Sequence, residues 1–110
     1  MKISGWIQMV HENAKAKGFW DEERRIPEAL CLIHSEVSEA LEEYRDGRDP
    51  NEVYERPERP GKPEGFGPEL ADVVIRVFDL CGALGIDLEE VMRQKHAYNT
   101  GRPHKHGRKC

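Results

Sequence analysis

Two acidic couplets, Glu36 with Glu39 and Glu69 with Asp72, are each spaced three apart inside stretches that read as helix. Residues three apart share a helix face, so each couplet aims two carboxylates at one small volume. That arrangement suits a hard divalent cation. Magnesium takes oxygen ligands in octahedral geometry and divides its coordination among carboxylates, waters and substrate phosphates. Two facing helices that each offer a carboxylate pair match this need, and such a centre lowers the pKa of bound water and neutralises a polyphosphate. The expected chemistry is metal-assisted hydrolysis of a phosphoanhydride. An anionic substrate also needs cationic clamps, and the chain supplies Lys95, Arg102 and Lys105 after the couplets. Asn99, one turn from Lys95, is placed to bond a phosphate, sugar or base.

The elements that must carry these groups are helices. Ile3, Trp6, Ile7, Val10 and Ala14 fall at helical spacing, which predicts a first helix over about 4–17 with Gly18 as its stop. A second helix is expected from about Pro27 to Asp46, with an apolar stripe of Ile26, Leu30, Ile33, Val37, Leu41 and Tyr44. Its glutamates at 36, 39 and 43 lie beside that stripe. A third helix opens near Pro68 and ends near Gly82 or Gly85; its segment ELADVVIRVFDLCGALG leaves one narrow polar strip of Glu69, Asp72, Arg76 and Asp79. A helix apolar on most sides is expected to be buried, where its charges require a metal or an ion-pair partner such as Arg76. Asp79 reads as structural. Asp87 with Glu90 forms a capping-box pattern for a last helix over about 88–98. Between the second and third helices, prolines 50, 57, 60 and 63 and several glycines predict a long irregular loop over about 47–67, a mobile flap or a subunit contact.

The 110 residues form one domain, all-α, with four helices and one long loop. So small a bundle is expected to bury its apolar faces against further copies. With 37% hydrophobic and 35% charged residues, and no apolar run long enough to span a bilayer, the expectation is a cytoplasmic protein without a membrane partner. Cys31, Cys81 and Cys110 are too widely separated for a zinc or redox motif; the two in helical stretches are expected to be at least partly buried. The net charge of −4 is uneven: the basic tail over about 99–110 contains no acid. On an acidic domain that tail is expected to meet small-ligand phosphates or a neighbouring subunit; without a recognisable motif, specific nucleic-acid binding is not expected.

The segments HSEVSEALEEYRDGR and PELADVVIRVFDLCGALGIDLEEVMRQKHAYNTGRPHKHG together resemble the MazG-like nucleotide pyrophosphohydrolases of the all-α NTP pyrophosphatase superfamily. The likeness spans roughly residues 26–109 and rests on an ExxE couplet, a spacer, an ExxD couplet, then a lysine, asparagine and arginine in order. The spacer is somewhat longer than is common in that family. The resemblance implies a nucleoside triphosphate substrate cleaved to monophosphate and pyrophosphate, in a nucleotide-pool-cleaning role. It also implies dimers or tetramers whose sites draw on more than one subunit. Glu36, Glu39, Glu69 and Asp72 become the ligands of Mg2+, for which Mn2+ can substitute, and Lys95, Asn99 and Arg102 become nucleotide contacts. Glu43, one turn past Glu39, becomes an acid behind the metal or the base that orients the attacking water. Trp6, Phe19 and Trp20 are candidates to pack against the base.

Two other classes compete. A di-iron bundle requires Glu-x-x-His pairs, and no histidine here lies three residues after a glutamate. The remaining alternative is a non-catalytic helical dimerisation module whose acids form a solvated face.

Overall fold

Glycine and proline punctuate the chain much as their backbone preferences dictate. The computed structural model describes residues 1–109, with α1 (Ile3–Ala16), α2 (Ile26–Arg45), a hairpin of β1 (Tyr54–Arg56) and β2 (Arg59–Glu64), α3 (Phe66–Leu84) and α4 (Leu88–Thr100), then a 3-10 turn at His104–Gly107. Pro27 sits in the first turn of α2, where its missing N–H is no loss. Gly85 closes α3 in the left-handed conformation, with φ +70°. The Asp87 side chain caps α4 by accepting from the Glu90 amide at 3.2 Å. Among the described residues no helix is long and apolar enough to cross a membrane.

The expected irregular loop is instead largely a hairpin, so the fold is predominantly helical with a small sheet. Tyr54 pairs with Glu64 and Arg56 with Arg59, leaving Pro57 and Glu58 as a two-residue turn. Pro57 presets φ at the first corner of that turn. Pro60 and Pro63 lack a donor, but a two-stranded ribbon has two outer edges that need no partner, and proline is tolerated there.

Helix α3 is the central element and packs against both α1 and α2, whereas α4 rests lightly on α1. Close approach of α1 depends on Gly82: a Cβ there would lie 2.7 Å from the Cβ of His11. One turn earlier on α3, buried Asp79 joins three segments. Its Oδ1 lies 2.8 Å from His11 Nδ1, and it accepts the Trp20 indole N–H at 2.9 and 3.0 Å. The His11 and Trp20 rings meet edge to face at 5.6 Å.

A conventional core is lacking in the single chain. Among the described residues the only buried apolar ones are Ala29, Ala40 and Cys81. The α2 stripe that periodicity marks as core is open: Leu30 is 47% exposed, Val37 50% and Leu41 53%. The expected burial of α3 is also corrected, since Leu70, Val74, Ile75 and Leu84 are exposed. Cys31 is exposed rather than partly buried, and Cys110 lies outside the described residues. A compact chain of this mass exposes about 6,200 Å² and has a radius of gyration of about 13 Å. The observed values are 8536 Å² and 16.5 Å.

Candidate metal centre

The couplets are delivered by adjacent turns of α2 and α3, and packing of those two helices brings them together. Glu36, Glu69 and Asp72 each place one carboxylate oxygen within 4.8 Å of the others. Oxygens on opposite sides of an octahedral Mg2+ are about 4.2 Å apart, so the cluster is within about an ångström of a coordinating span. Two of these residues carry a buried oxygen with no hydrogen-bond partner, Glu36 Oε2 and Glu69 Oε2. A buried unpaired carboxylate oxygen is costly, and a cation is the natural complement. The donor set therefore fits a hard divalent ion.

Glu39, the fourth expected ligand, is exposed and lies outside the three-oxygen cluster. It is nonetheless in side-chain hydrogen-bonding range of Glu69. Burial, that hydrogen bond and the charges of Glu39, Asp72 and Glu36 push the Glu69 carboxyl up to about 7. Near neutrality the Glu69 carboxyl therefore holds a proton far more readily than an ordinary glutamate. Asp72 is also raised, by burial and then by the Glu36 charge, while Lys62 and Arg76 pull it the other way.

Arg76 departs from its expected place. Rather than closing an ion pair within α3, its Nε donates across to Glu36 Oε1 on α2 at 2.8 Å. The bond fixes the carboxylate and leaves Oε2 as the free oxygen. Glu43 lies outside the cluster and accepts the Tyr54 hydroxyl at 2.9 and 2.8 Å. In this arrangement it anchors the hairpin to α2.

Beside the carboxylates opens a cavity of about 470 Å³ between α1 and α3, reached by Glu36 from α2. Glu36, Asp72, Arg76 and Asp79 form its acidic and basic side; Met9, Val10, Ala14, Phe19 and Ile75 form an apolar wall, with Asn13 and Arg24 completing the lining. None of Lys95, Asn99, Arg102, Lys105 or Trp20 lines it. Trp20 stands behind it, bonded to Asp79. Arg102 and Lys105 instead line a second hollow of about 430 Å³ with His106, Arg108 and Lys109. Lys95 and Arg102 flank the Tyr98 ring at 6.0 and 5.5 Å.

No protein-family model, curated protein or solved structure matches the chain. The site must therefore be judged on its own geometry.

Sequence reasoning missed Arg24, which lines the cavity and lies over the Phe19 and Trp20 rings at 5.7 and 5.0 Å, and Tyr54, which engages Glu43. Neither had a motif to announce it. A proline-rich spacer hides Tyr54, and Arg24 belongs to a turn with no periodicity.

Proposed function

We propose that this protein is a Mg2+-dependent nucleoside triphosphate pyrophosphohydrolase of the MazG-like kind, cleaving a ribo- or deoxynucleoside triphosphate to monophosphate and pyrophosphate. The observation that carries the reading is the pair of buried, unpartnered oxygens on Glu36 and Glu69 beside Asp72. A solvated acidic face, as in a non-catalytic dimerisation module, would not leave Glu36 only 8% exposed and salt-bridged to Arg76.

Glu36, Glu69 and Asp72 would hold the ion, with Glu39 adjoining them. Bound there, Mg2+ supplies a lowered pKa for the attacking water and neutralises phosphate charge. Arg76 keeps Glu36 in one orientation. The proton that Glu69 retains near neutrality would leave if its carboxylate faced a cation. The cavity has the size and mixed lining of a small-ligand site, with Phe19 and Ile75 as apolar surfaces for a base and Arg24 and Asn13 as polar contacts.

Homo-oligomerisation belongs to the same reading. The surface in excess of a compact chain is on the order of 2,000 Å² per copy, the scale of an obligate interface. The open stripe of Leu30, Val37 and Leu41 is the apolar surface to be covered. Lys95, Arg102 and Lys105 enter such an assembly as cations, and Asn99 as a neutral hydrogen-bonding amide, offered to a neighbouring copy's site in a dimer or a tetramer.

Pyrophosphate release from a panel of triphosphates with Mg2+ or Mn2+ tests the proposal. Glu39→Gln and Asp72→Asn should each abolish release while the protein stays folded. Retained turnover in both variants defeats the reading.

A further inference from the structure

The charged groups that line the cavity beside the carboxylates are not equally engaged. Glu36 and Arg76 neutralise one another at 2.8 Å. Asp79 accepts the Trp20 indole N–H and lies 2.8 Å from His11 Nδ1. Asp72 and Arg24 remain, and among the described residues neither makes an ion pair. A free carboxylate and a free guanidinium on one hollow complement a cation and an anion that binds with it. Asp72 belongs to the metal cluster. Arg24 is the group left for the anion.

The segment that carries Arg24 is tightly folded. Gly18, with φ +88°, ends α1 in a Schellman arrangement: its N–H donates to the Lys15 carbonyl and that of Phe19 to the Ala14 carbonyl, each at 3.1 Å. The Asp21 N–H then closes a turn onto the Gly18 carbonyl at 3.2 Å. Phe19 and Trp20 are thereby set against the end of α1, and buried Asp79 fastens the Trp20 indole from α3 at 2.9 and 3.0 Å. Arg24 rests on this pair. Its guanidinium carbon lies 5.0 Å from the Trp20 ring and 5.7 Å from the Phe19 ring, within the reach of cation–π attraction. Its Nη2 donates to the Phe19 carbonyl at 3.1 Å. The rings attract the cation without using its N–H groups, so the remaining donors stay available to a ligand.

We propose that Arg24 is a substrate-binding residue that clamps the phosphates of a triphosphate held at the Glu36, Glu69 and Asp72 centre, and that Trp20, fixed by Asp79, is its positioning residue. The inference rests on the hydrolase reading and assigns Arg24 to the phosphate end of the ligand rather than to the base or sugar. Two observations favour that end. Arg24 lines the same cavity as two of the metal-cluster residues, Glu36 and Asp72. Its planar fork of donors matches phosphate oxygens, whereas a neutral base would leave its charge uncompensated. Arg76, the other cation of the lining, cannot take the role without releasing Glu36.

The test is calorimetric titration of inorganic pyrophosphate in saturating Mg2+, alongside Mn2+ titration without pyrophosphate, for the wild type, Arg24→Gln, Arg24→Lys and Trp20→Phe. Pyrophosphate has no base, so it reads the phosphate contact alone. Arg24→Gln should weaken its binding and raise KM for the triphosphate, each about 10- to 100-fold. Mn2+ affinity should match wild type, and Arg24→Lys, which keeps the charge without the fork, should recover part of the loss. Trp20→Phe keeps a ring but loses the bond to Asp79; it should raise KM about 3- to 10-fold with kcat and Mn2+ affinity unchanged. Wild-type pyrophosphate affinity in Arg24→Gln overturns the inference and leaves the hydrolase reading standing, even if KM for the triphosphate rises, because the contact would then be to base or sugar. Equal losses of Mn2+ and pyrophosphate affinity overturn it too, because Arg24 would then act through the metal ligands. An unchanged KM in Trp20→Phe, or a loss of Mn2+ affinity as large as its loss of pyrophosphate affinity, overturns the positioning role. A wild-type protein that neither releases pyrophosphate nor binds it with Mg2+ removes the hydrolase reading itself, and this inference with it.

Discussion

Replacing Glu69 by glutamine should make the metal-free protein more stable while removing its response to metal. The folded chain raises this carboxyl from 4.5 to about 7, chiefly by burial, then by the bond to Glu39 and the neighbouring negative charges. An acid whose pKa is higher folded than unfolded binds more protons in the folded state between the two values, so stability falls as pH rises through that window. Above about pH 7 the loss is complete, and below 4.5 it is absent. The gap corresponds to about 3 kcal/mol, reduced to on the order of 2 kcal/mol for a carboxylate that water partly reaches. Glutamine has no charge, and its amide can donate to Glu39. At fixed protein concentration in EDTA at pH 8, Glu69→Gln should melt about 8 °C above wild type. At pH 5 the advantage should shrink to about a quarter, because the wild-type group is protonated in most folded molecules. Adding Mg2+ at 100 times its dissociation constant should stabilise wild type by about 2.7 kcal/mol and leave the variant almost unmoved. An equal advantage at pH 5 and 8, or an equal Mg2+ response, would refute the claim that Glu69 is held at a destabilising position in the metal cluster.

Three further outcomes follow from other parts of the structure. Gly82→Ala should cost about 1–3 kcal/mol in a denaturant melt, because the added methyl meets the His11 Cβ and pushes α1 away from Asp79. Tyr54→Phe removes the bond to Glu43 and should cost about 1 kcal/mol, with faster proteolytic cleavage within 54–64; unchanged cleavage would mean that the hairpin is held by other contacts. Val37→Lys combined with Leu41→Lys places charge on the open α2 stripe and should reduce the sedimenting mass to that of one chain, whereas an intact oligomer would put the interface elsewhere.

The helices and the acidic cluster were largely legible because both depend on spacing. A three-residue interval puts Glu69 beside Asp72 whatever surrounds them, and Gly18, Pro27, Gly85 and Asp87 mark helix ends through local backbone preferences. Partnership was not legible in the same way. Arg76 is one turn from Asp72 in sequence, yet its guanidinium bonds Glu36 from the other helix, forty residues away. Glu43 continues the carboxylate series of α2, yet Tyr54 takes it up, because the hairpin folds back over that turn. The hairpin was hidden by proline, which excludes a central strand but is compatible with an edge strand, and a two-stranded ribbon consists only of edges.

Periodicity is equally silent about whose surface an apolar stripe meets. Ile26, Leu30, Val37, Leu41 and Tyr44 recur at the spacing of a buried helix face, yet each is exposed in the single chain. The physical requirement encoded by that spacing is removal from water, and a second copy meets it as well as a helix of the same chain does. Glu36 and Ala40 are buried on the same helix, on the side that meets α3. Helix α2 thus has two faces, one placing carboxylates against α3 and one open in the single chain. If the open face closes in an oligomer, the metal cluster sits on a helix held from both sides, and metal affinity should fall when the stripe is charged even though no ligand is touched. A Val37→Lys, Leu41→Lys protein that dissociates yet binds Mn2+ as tightly as wild type would show that the centre is complete within one chain.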